Sequence, residues 1–142
     1  MRGMASGGGH FEHWKLLFGE AMILYALKKG MSSKTRVSAK MGITHLKWEQ
    51  AGHTVVTTID QPQLAAACAK HRFDVALIEQ AIDPRMRKIV ASLIREQCPA
   101  AKILELYPPD EARVVADADA WLEARQDVPK DLVERVNELL QE

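Results

Sequence analysis

The loop at residues 28–34 combines positive charge with hydroxyl groups just before a predicted helix. Its reactive side chains are three lysines and two serines: Lys28, Lys29, Ser32, Ser33 and Lys34. The N–H groups of a helix N-terminus, together with ammonium groups, bind phosphate and other anions. The loop lacks the GxGxxG and GxxxxGKS/T spacings of nucleotide-binding loops. It therefore indicates either an anion-binding loop or an ordinary loop in which Ser32 or Ser33 caps the helix.

A single acid, Glu79, follows the apolar run at residues 73–78. In an open parallel sheet, ligands and reacting groups gather outside the carboxyl ends of the strands. Glu79 is therefore a candidate for an ion-pairing or reacting group, and its simpler interpretation is a polar cap on a strand end. The corresponding positions after the other predicted strands are Leu27, Lys28, Tyr107, Ala124 and Arg125.

Two other groups of side chains indicate little chemistry. His10 and His13 are spaced to share one helical turn, but they have no nearby cysteine or third ligand. Cys68 and Cys98 do not form a CxxC pair, and two such cysteines fit a reducing compartment. Cys68 lies in an alanine-rich helix, where a small core side chain is expected. We therefore predict no metal centre and no cofactor.

Apolar runs and helical spacings alternate along the chain from residue 21 onward. Such alternation predicts an α/β fold: a doubly wound parallel sheet covered by helices on both faces. The predicted strands span residues 22–27, 54–58, 73–78, 102–107 and 120–123. The predicted helices run from Ser32 or Ser33 to about Ala51, from Pro62 to His71, over 85–97, over a short stretch at 110–116, and from Pro129 to about 140.

The composition is that of one soluble domain. The chain has 142 residues, of which 47% are hydrophobic and 27% are charged, with a formal net charge of zero. Residues 1–52 include eight basic and three acidic residues, whereas residues 53–142 include eleven basic and sixteen acidic residues. The absence of net charge makes nucleic acid an unlikely partner. No apolar run is long enough to span a bilayer, so we expect a cytoplasmic protein.

The chain divides into two parts. The glycine-rich start predicts a flexible leader or a short helix over residues 1–20, and the folded domain is expected over residues 21–142.

Residues 21–142 resemble the receiver domain of bacterial two-component response regulators. The best-matching pieces are AGHTV at 51–55, FDVALIE at 73–79, the passage at 93–104 with Pro99 at its centre, and ADAWL at 118–122. The resemblance implies a flavodoxin-like, five-stranded sheet in the order 2-1-3-4-5. It also implies signalling through a face built from the fourth helix, fifth strand and fifth helix.

The resemblance also shows where this chain departs from the family. The family holds Mg²⁺ with two acids after strand one and phosphorylates an aspartate at the end of strand three. Here Leu27 and Lys28 occupy the metal corner, and Glu79 stands at the acceptor position. Tyr107 replaces a small hydroxyl residue, and Ala124, followed by Arg125, stands at the lysine position. Lys28 is expected to pair with Glu79, with Arg125 as a second partner. These positions form a degenerate phosphoacceptor pocket.

Three functions follow as hypotheses. The first is a non-catalytic, receiver-like signalling or scaffold domain that contacts another protein or a second copy of itself. The second is an anion- or nucleotide-binding domain that uses the loop at residues 28–34. The third is a working phosphoacceptor in which Asp74 or Asp83 takes part. Trp121 is expected to pack in the core, with the anchoring of a partner as its alternative.

Overall fold

The computed structural model describes residues 21–27, 52–124 and 128–141. Several predictions fall outside these residues: the leader at 1–20, the loop at 28–34, the helix that ends near Ala51, and Arg125. Gly52, the predicted stop of that helix, has a φ of 94°, a left-handed conformation that glycine adopts without steric cost.

Five parallel strands form one sheet in the order β2-β1-β3-β4-β5, which confirms the predicted fold class. Four to six residues make each strand, and the predicted boundaries of β2, β4 and β5 agree with the structure. The strands are β1 (Met22–Ala26), β2 (Thr54–Thr58), β3 (Val75–Ile78), β4 (Lys102–Tyr107) and β5 (Ala120–Glu123).

Three helices are described: α1 (Gln61–Lys70), α2 (Pro84–Gln97) and α3 (Val128–Gln141). An aspartate caps each of the first two. The carboxylate of Asp60 accepts a hydrogen bond from the N–H of Gln63 at 2.9 Å, and that of Asp83 accepts one from Arg85 at 3.4 Å. Proline in the first turn of both helices has no N–H that needs a partner. No described helix is both long and apolar enough to cross a membrane.

The sheet separates two hydrophobic cores because successive strand side chains point to opposite faces. One face packs against α1 and α2, and the other packs against α3. From β1, Leu24 enters the first core and Ile23 enters the second. Trp121 packs against the first core, and its indole N–H donates to the carbonyl of Val115 at 3.0 Å, so the packing interpretation of Trp121 holds.

The predicted short helix at residues 110–116 is wrong. Residues 108–119 instead run between β4 and β5 as turns and extended chain. Glu105 explains the difference, because its carboxylate accepts hydrogen bonds from the N–H groups of Val114 at 3.0 Å and Val115 at 2.9 Å. These N–H groups are satisfied by a buried side chain instead of a helical ladder.

The expectation that Cys68 and Cys98 are unpaired thiols of a reducing compartment is not met, because the structure joins them in a disulfide with a Cα–Cα distance of 5.7 Å. Cys68 lies near the end of α1, and Cys98 is the C-cap of α2. The bond therefore links the carboxyl ends of two neighbouring helices, inside the core where Cys68 was expected.

Candidate functional site at the carboxyl edge of the sheet

Glu79 follows β3 directly and is fully buried. Its Oε1 accepts a hydrogen bond from the N–H of Ala81 at 3.0 Å. Its own N–H donates to the carbonyl of Ala26, the last residue of β1, at 3.1 Å. The carboxylate of Glu79 is thus held by the turn that follows it.

Tyr25 is the neighbour of Glu79 that sequence reasoning missed. Burial, and secondly the negative charge of Glu79, raise the pKa of Tyr25 well above its ordinary value. The phenol therefore stays neutral beside a buried carboxylate. The only sequence signal is a polar ring inside the otherwise apolar run of β1.

At the end of β1, which is predicted to correspond to the metal corner of the family, the described residues are apolar. Ala26 ends β1, and the N–H of Leu27 donates to the carbonyl of Thr58 at 2.8 Å. A hard cation such as Mg²⁺ takes oxygen ligands, which neither side chain supplies. The described part of the chain contains no cluster of three or more potential metal ligands.

Tyr107 and Ala124 lie together at the ends of β4 and β5. The N–H of Ala124 donates to the carbonyl of Tyr107 at 2.8 Å, and both residues are partly buried. The pairing of Lys28 with Glu79, and the role of Arg125, remain predictions because both cations lie outside the described residues.

The two alternative acids occupy other places. Asp74 precedes β3 and accepts a hydrogen bond from the N–H of Met22 at 2.8 Å, at the amino edge of the sheet. Asp83 caps α2. The described contacts of Asp74 therefore belong to the edge opposite Glu79.

A second buried acid, Glu105, lies in the middle of β4 and was not predicted as a site residue. Its Oε2 is 3.0 Å from Nε of Arg87, and both side chains are fully buried. Arg87 also reaches Glu111, whose carboxylate is 3.3 Å away and 43% exposed. The sequence signal was an arginine on the inner face of α2, three and seven residues before Val90 and Ile94.

Arg87 connects this ion pair to the turn that holds Glu79. Its Nη1 donates to the carbonyl oxygens of Gln80 and Ile82, each at 3.1 Å. These two residues flank Ala81, whose N–H binds Glu79. Arg87 therefore connects the segment at 108–119 to the turn around Glu79.

Solved response-regulator structures share this architecture. One chain of the crystal structure of histidine kinase ThkA in complex with response regulator protein TrrA is 16% identical, with a TM-score of 0.63, and the match covers 84% of this chain and 98% of that chain. A response regulator from Thermotoga maritima is 15% identical, with a TM-score of 0.62 and coverage of 86% and 99%. The Vibrio cholerae chemotaxis protein CheY4 is 21% identical, with a TM-score of 0.62 and coverage of 84% and 98%.

Comparison with protein-family models and with curated protein sequences gave no match. At identities of 21% or below, the likeness to these three structures is one of fold, and a fold does not determine activity. The chain therefore has the fold of a response-regulator receiver domain, with an extended segment between β4 and β5 where the family has its fourth helix.

Proposed function

We propose that this chain is a receiver-like signalling or scaffold domain that works in the cytoplasm through contact with another protein or a second copy of itself. It does not accept phosphate and is not an enzyme. The observation that carries the proposal is the state of Glu79, a fully buried carboxylate bonded to the N–H of its own turn.

Phosphoryl transfer depends on neutralising charge and positioning the groups that react. In this chain the acceptor oxygen is enclosed, and the neighbouring corner offers Ala26 and Leu27 where oxygen ligands would hold a metal. A glutamate at the acceptor position also extends one methylene further than an aspartate. These features support a domain whose surface is presented permanently, without a phosphorylation switch.

A protein partner is consistent with the solved complex of response regulator protein TrrA with histidine kinase ThkA. In this chain the face that the family builds around its fourth helix is replaced by residues 108–119. A partner that binds this face therefore contacts an extended segment held by Glu105. This difference favours a partner unlike those of ordinary receivers.

The phosphorylation part of the proposal is tested with acetyl phosphate and Mg²⁺, followed by intact-protein mass spectrometry. The expected result is no added phosphoryl group on the wild-type chain or on Glu79→Asp, because shortening the acid does not supply metal ligands. CheY4 treated in parallel serves as the reference for a receiver reaction. A phosphoryl adduct on the wild-type chain that disappears in Glu79→Gln would contradict the proposal.

The self-association part is tested by sedimentation velocity across a range of protein concentrations. A reversible dimer would identify a second copy as the partner. A monomer at all concentrations would exclude the homodimer, and the proposed partner would then be a different protein.

A further inference from the structure

A cavity of about 460 Å³ opens at the carboxyl edge of the sheet, beside the corner where the family holds its metal. The ends of β1 and β2 form one side, and the first turns of α1 and α2 form the other. Most of its lining is apolar, including Leu27, Ile59, Leu64, Ile82, Met86 and Val90. This volume lies within the usual range for small-molecule sites, about 300–1,000 Å³.

The position of the cavity in the topology favours a ligand. The chain leaves β1 toward β2 on one side and later returns to β3 on the other, so the strand order reverses between β1 and β3. Ligands of open parallel sheets bind outside the carboxyl ends of the strands at this reversal. Ala26 and Leu27 at the end of β1, and Ile82 and Asp83 beyond β3, all line the cavity.

The charge of the lining selects the kind of ligand. Asp60 and Asp83 are its acidic residues, and none of the described lining residues is basic. Each carboxylate caps a helix whose N-terminus carries roughly half a positive charge. Two full negative charges against two such termini leave about one negative charge at the rim. The cavity therefore favours a cation over an anion.

The mouth of the cavity is adaptable. Met86 and Ile89, one helical turn apart on α2, are the exposed large hydrophobic residues of the described chain, at 39% and 42%. Met86 lines the cavity, and its sulfur is 3.7 Å from the amide nitrogen of Gln61 on α1. Methionine adjusts its shape readily, and an exposed apolar side chain that lines a cavity, such as Met86, is typical of binding sites.

We propose that this cavity binds a small organic cation, with an apolar body against Ile82, Met86 and Val90 and an ammonium or amidinium group facing Asp60 and Asp83. This site is separate from the proposed contact with a protein partner. It accepts a ligand of charge opposite to that expected for the loop at residues 28–34.

The test uses methyl NMR of the full chain and three probes of similar size: phenethylammonium, neutral 2-phenylethanol and anionic 3-phenylpropionate. The expected result is saturable shifts of the methyl groups of Ile82, Met86 and Val90 with phenethylammonium. Exposed ion pairs contribute up to about 1 kcal/mol, so the ammonium should bind up to about five-fold more tightly than the neutral probe. The anion should bind most weakly.

Asp60→Asn and Asp83→Asn remove one charge each and keep a side chain that caps helices well. Either variant should reduce the preference for the ammonium while leaving the affinity for 2-phenylethanol unchanged. Glu96→Gln is the matched control, because it removes one exposed acidic charge from the far end of α2.

Equal affinity for all three probes, or no saturable shift at these methyl groups, would overturn the proposal. Tighter binding of the anion would also overturn it and would instead favour the loop at residues 28–34. The proposed protein contact is judged separately, because the phosphorylation and sedimentation experiments do not depend on this cavity.

Discussion

Glu79 and Glu105 are both fully buried acids, and Glu105 pairs in register with Ile78, the residue before Glu79, yet the surroundings of the two acids differ. Glu105 has a buried arginine at 3.0 Å and accepts hydrogen bonds from two backbone N–H groups. Glu79 accepts a hydrogen bond from one N–H of its own turn and raises the pKa of a neighbouring phenol. Glu105 is therefore integrated into the structural core, whereas Glu79 lies in the turn that follows β3 at the carboxyl edge of the sheet.

The two acids show two ways in which this fold accommodates a buried carboxylate. A buried charge is costly unless it is paired and hydrogen-bonded. At Glu105 that requirement is met by reorganising the segment at residues 108–119. At Glu79 the turn supplies a hydrogen bond to Oε1, and Arg87 fixes this turn through the carbonyl groups of Gln80 and Ile82.

The largest expected effect comes from breaking the pair at Glu105. Arg87→Met leaves a buried carboxylate without its cation and should lower the free energy of unfolding by about 3–5 kcal/mol. Urea denaturation followed by circular dichroism measures the change. Arg135→Met is the control, because its partner Glu138 is 63% exposed. If Arg87→Met lowers the free energy of unfolding no more than Arg135→Met does, the ion pair does not distinguish Glu105 from Glu79.

Reduction of the Cys68–Cys98 disulfide loosens the contact between α1 and α2 but leaves the side chains of Arg87 and Glu105 unchanged. The loss of stability on reduction is therefore a reference for the loss caused by Arg87→Met. Cys68 and Cys98 are 30 residues apart in sequence, and closing such a loop stabilises by about 3–4 kcal/mol in the chain-entropy model. Addition of a reductant to the wild-type chain should therefore lower its stability by this amount, with Cys68→Ala/Cys98→Ala unaffected by the reductant. Thiol titration of the unfolded, unreduced chain that finds two free thiols would contradict the bond.

At Glu79 the expected loss is smaller. Glu79→Gln keeps the shape and an acceptor for the N–H of Ala81 but removes the charge. If Lys28 pairs with this acid, the free energy of unfolding should fall by roughly 1–3 kcal/mol, and Lys28→Met should give a loss of similar size. Unchanged melting temperatures in both variants would show that Lys28 and Glu79 do not form an ion pair.

The smallest effect concerns the ionisation of Tyr25. Because folding raises the pKa of its phenol, the neutral form stabilises the protein below the unfolded pKa, and this stabilisation is lost as the pH rises above about 10. Glu79→Gln should move the pKa of Tyr25 partly back toward its ordinary value, because burial remains. Ultraviolet absorbance titration in a Tyr107→Phe background isolates this signal. An unaltered titration in Glu79→Gln would show that the carboxylate does not act on Tyr25.

The local pattern predicted the sheet well, because buried parallel strands read as short apolar runs such as Val75–Ile78. The helix predicted at 110–116 failed because its N–H groups bind Glu105, a contact that no local pattern contains. The Arg87–Glu105 pair, the Cys68–Cys98 bond and the cavity all join separate elements, so they depend on the packing of α1 and α2. The position of Glu79 was predictable because the strand order fixes which chain ends share an edge.

The proposed function requires the carboxylate of Glu79 to be closed to phosphoryl chemistry. The most direct measurement is an amide NMR titration with Mg²⁺ and then with beryllofluoride, followed at Ala81. A fluoroberyllate on Oε1 of Glu79 must displace the 3.0 Å hydrogen bond from the N–H of Ala81. We expect the amide resonances of Ala26, Ala81 and Tyr107 to stay in place. Their concerted, saturable shift would show a working switch and contradict it.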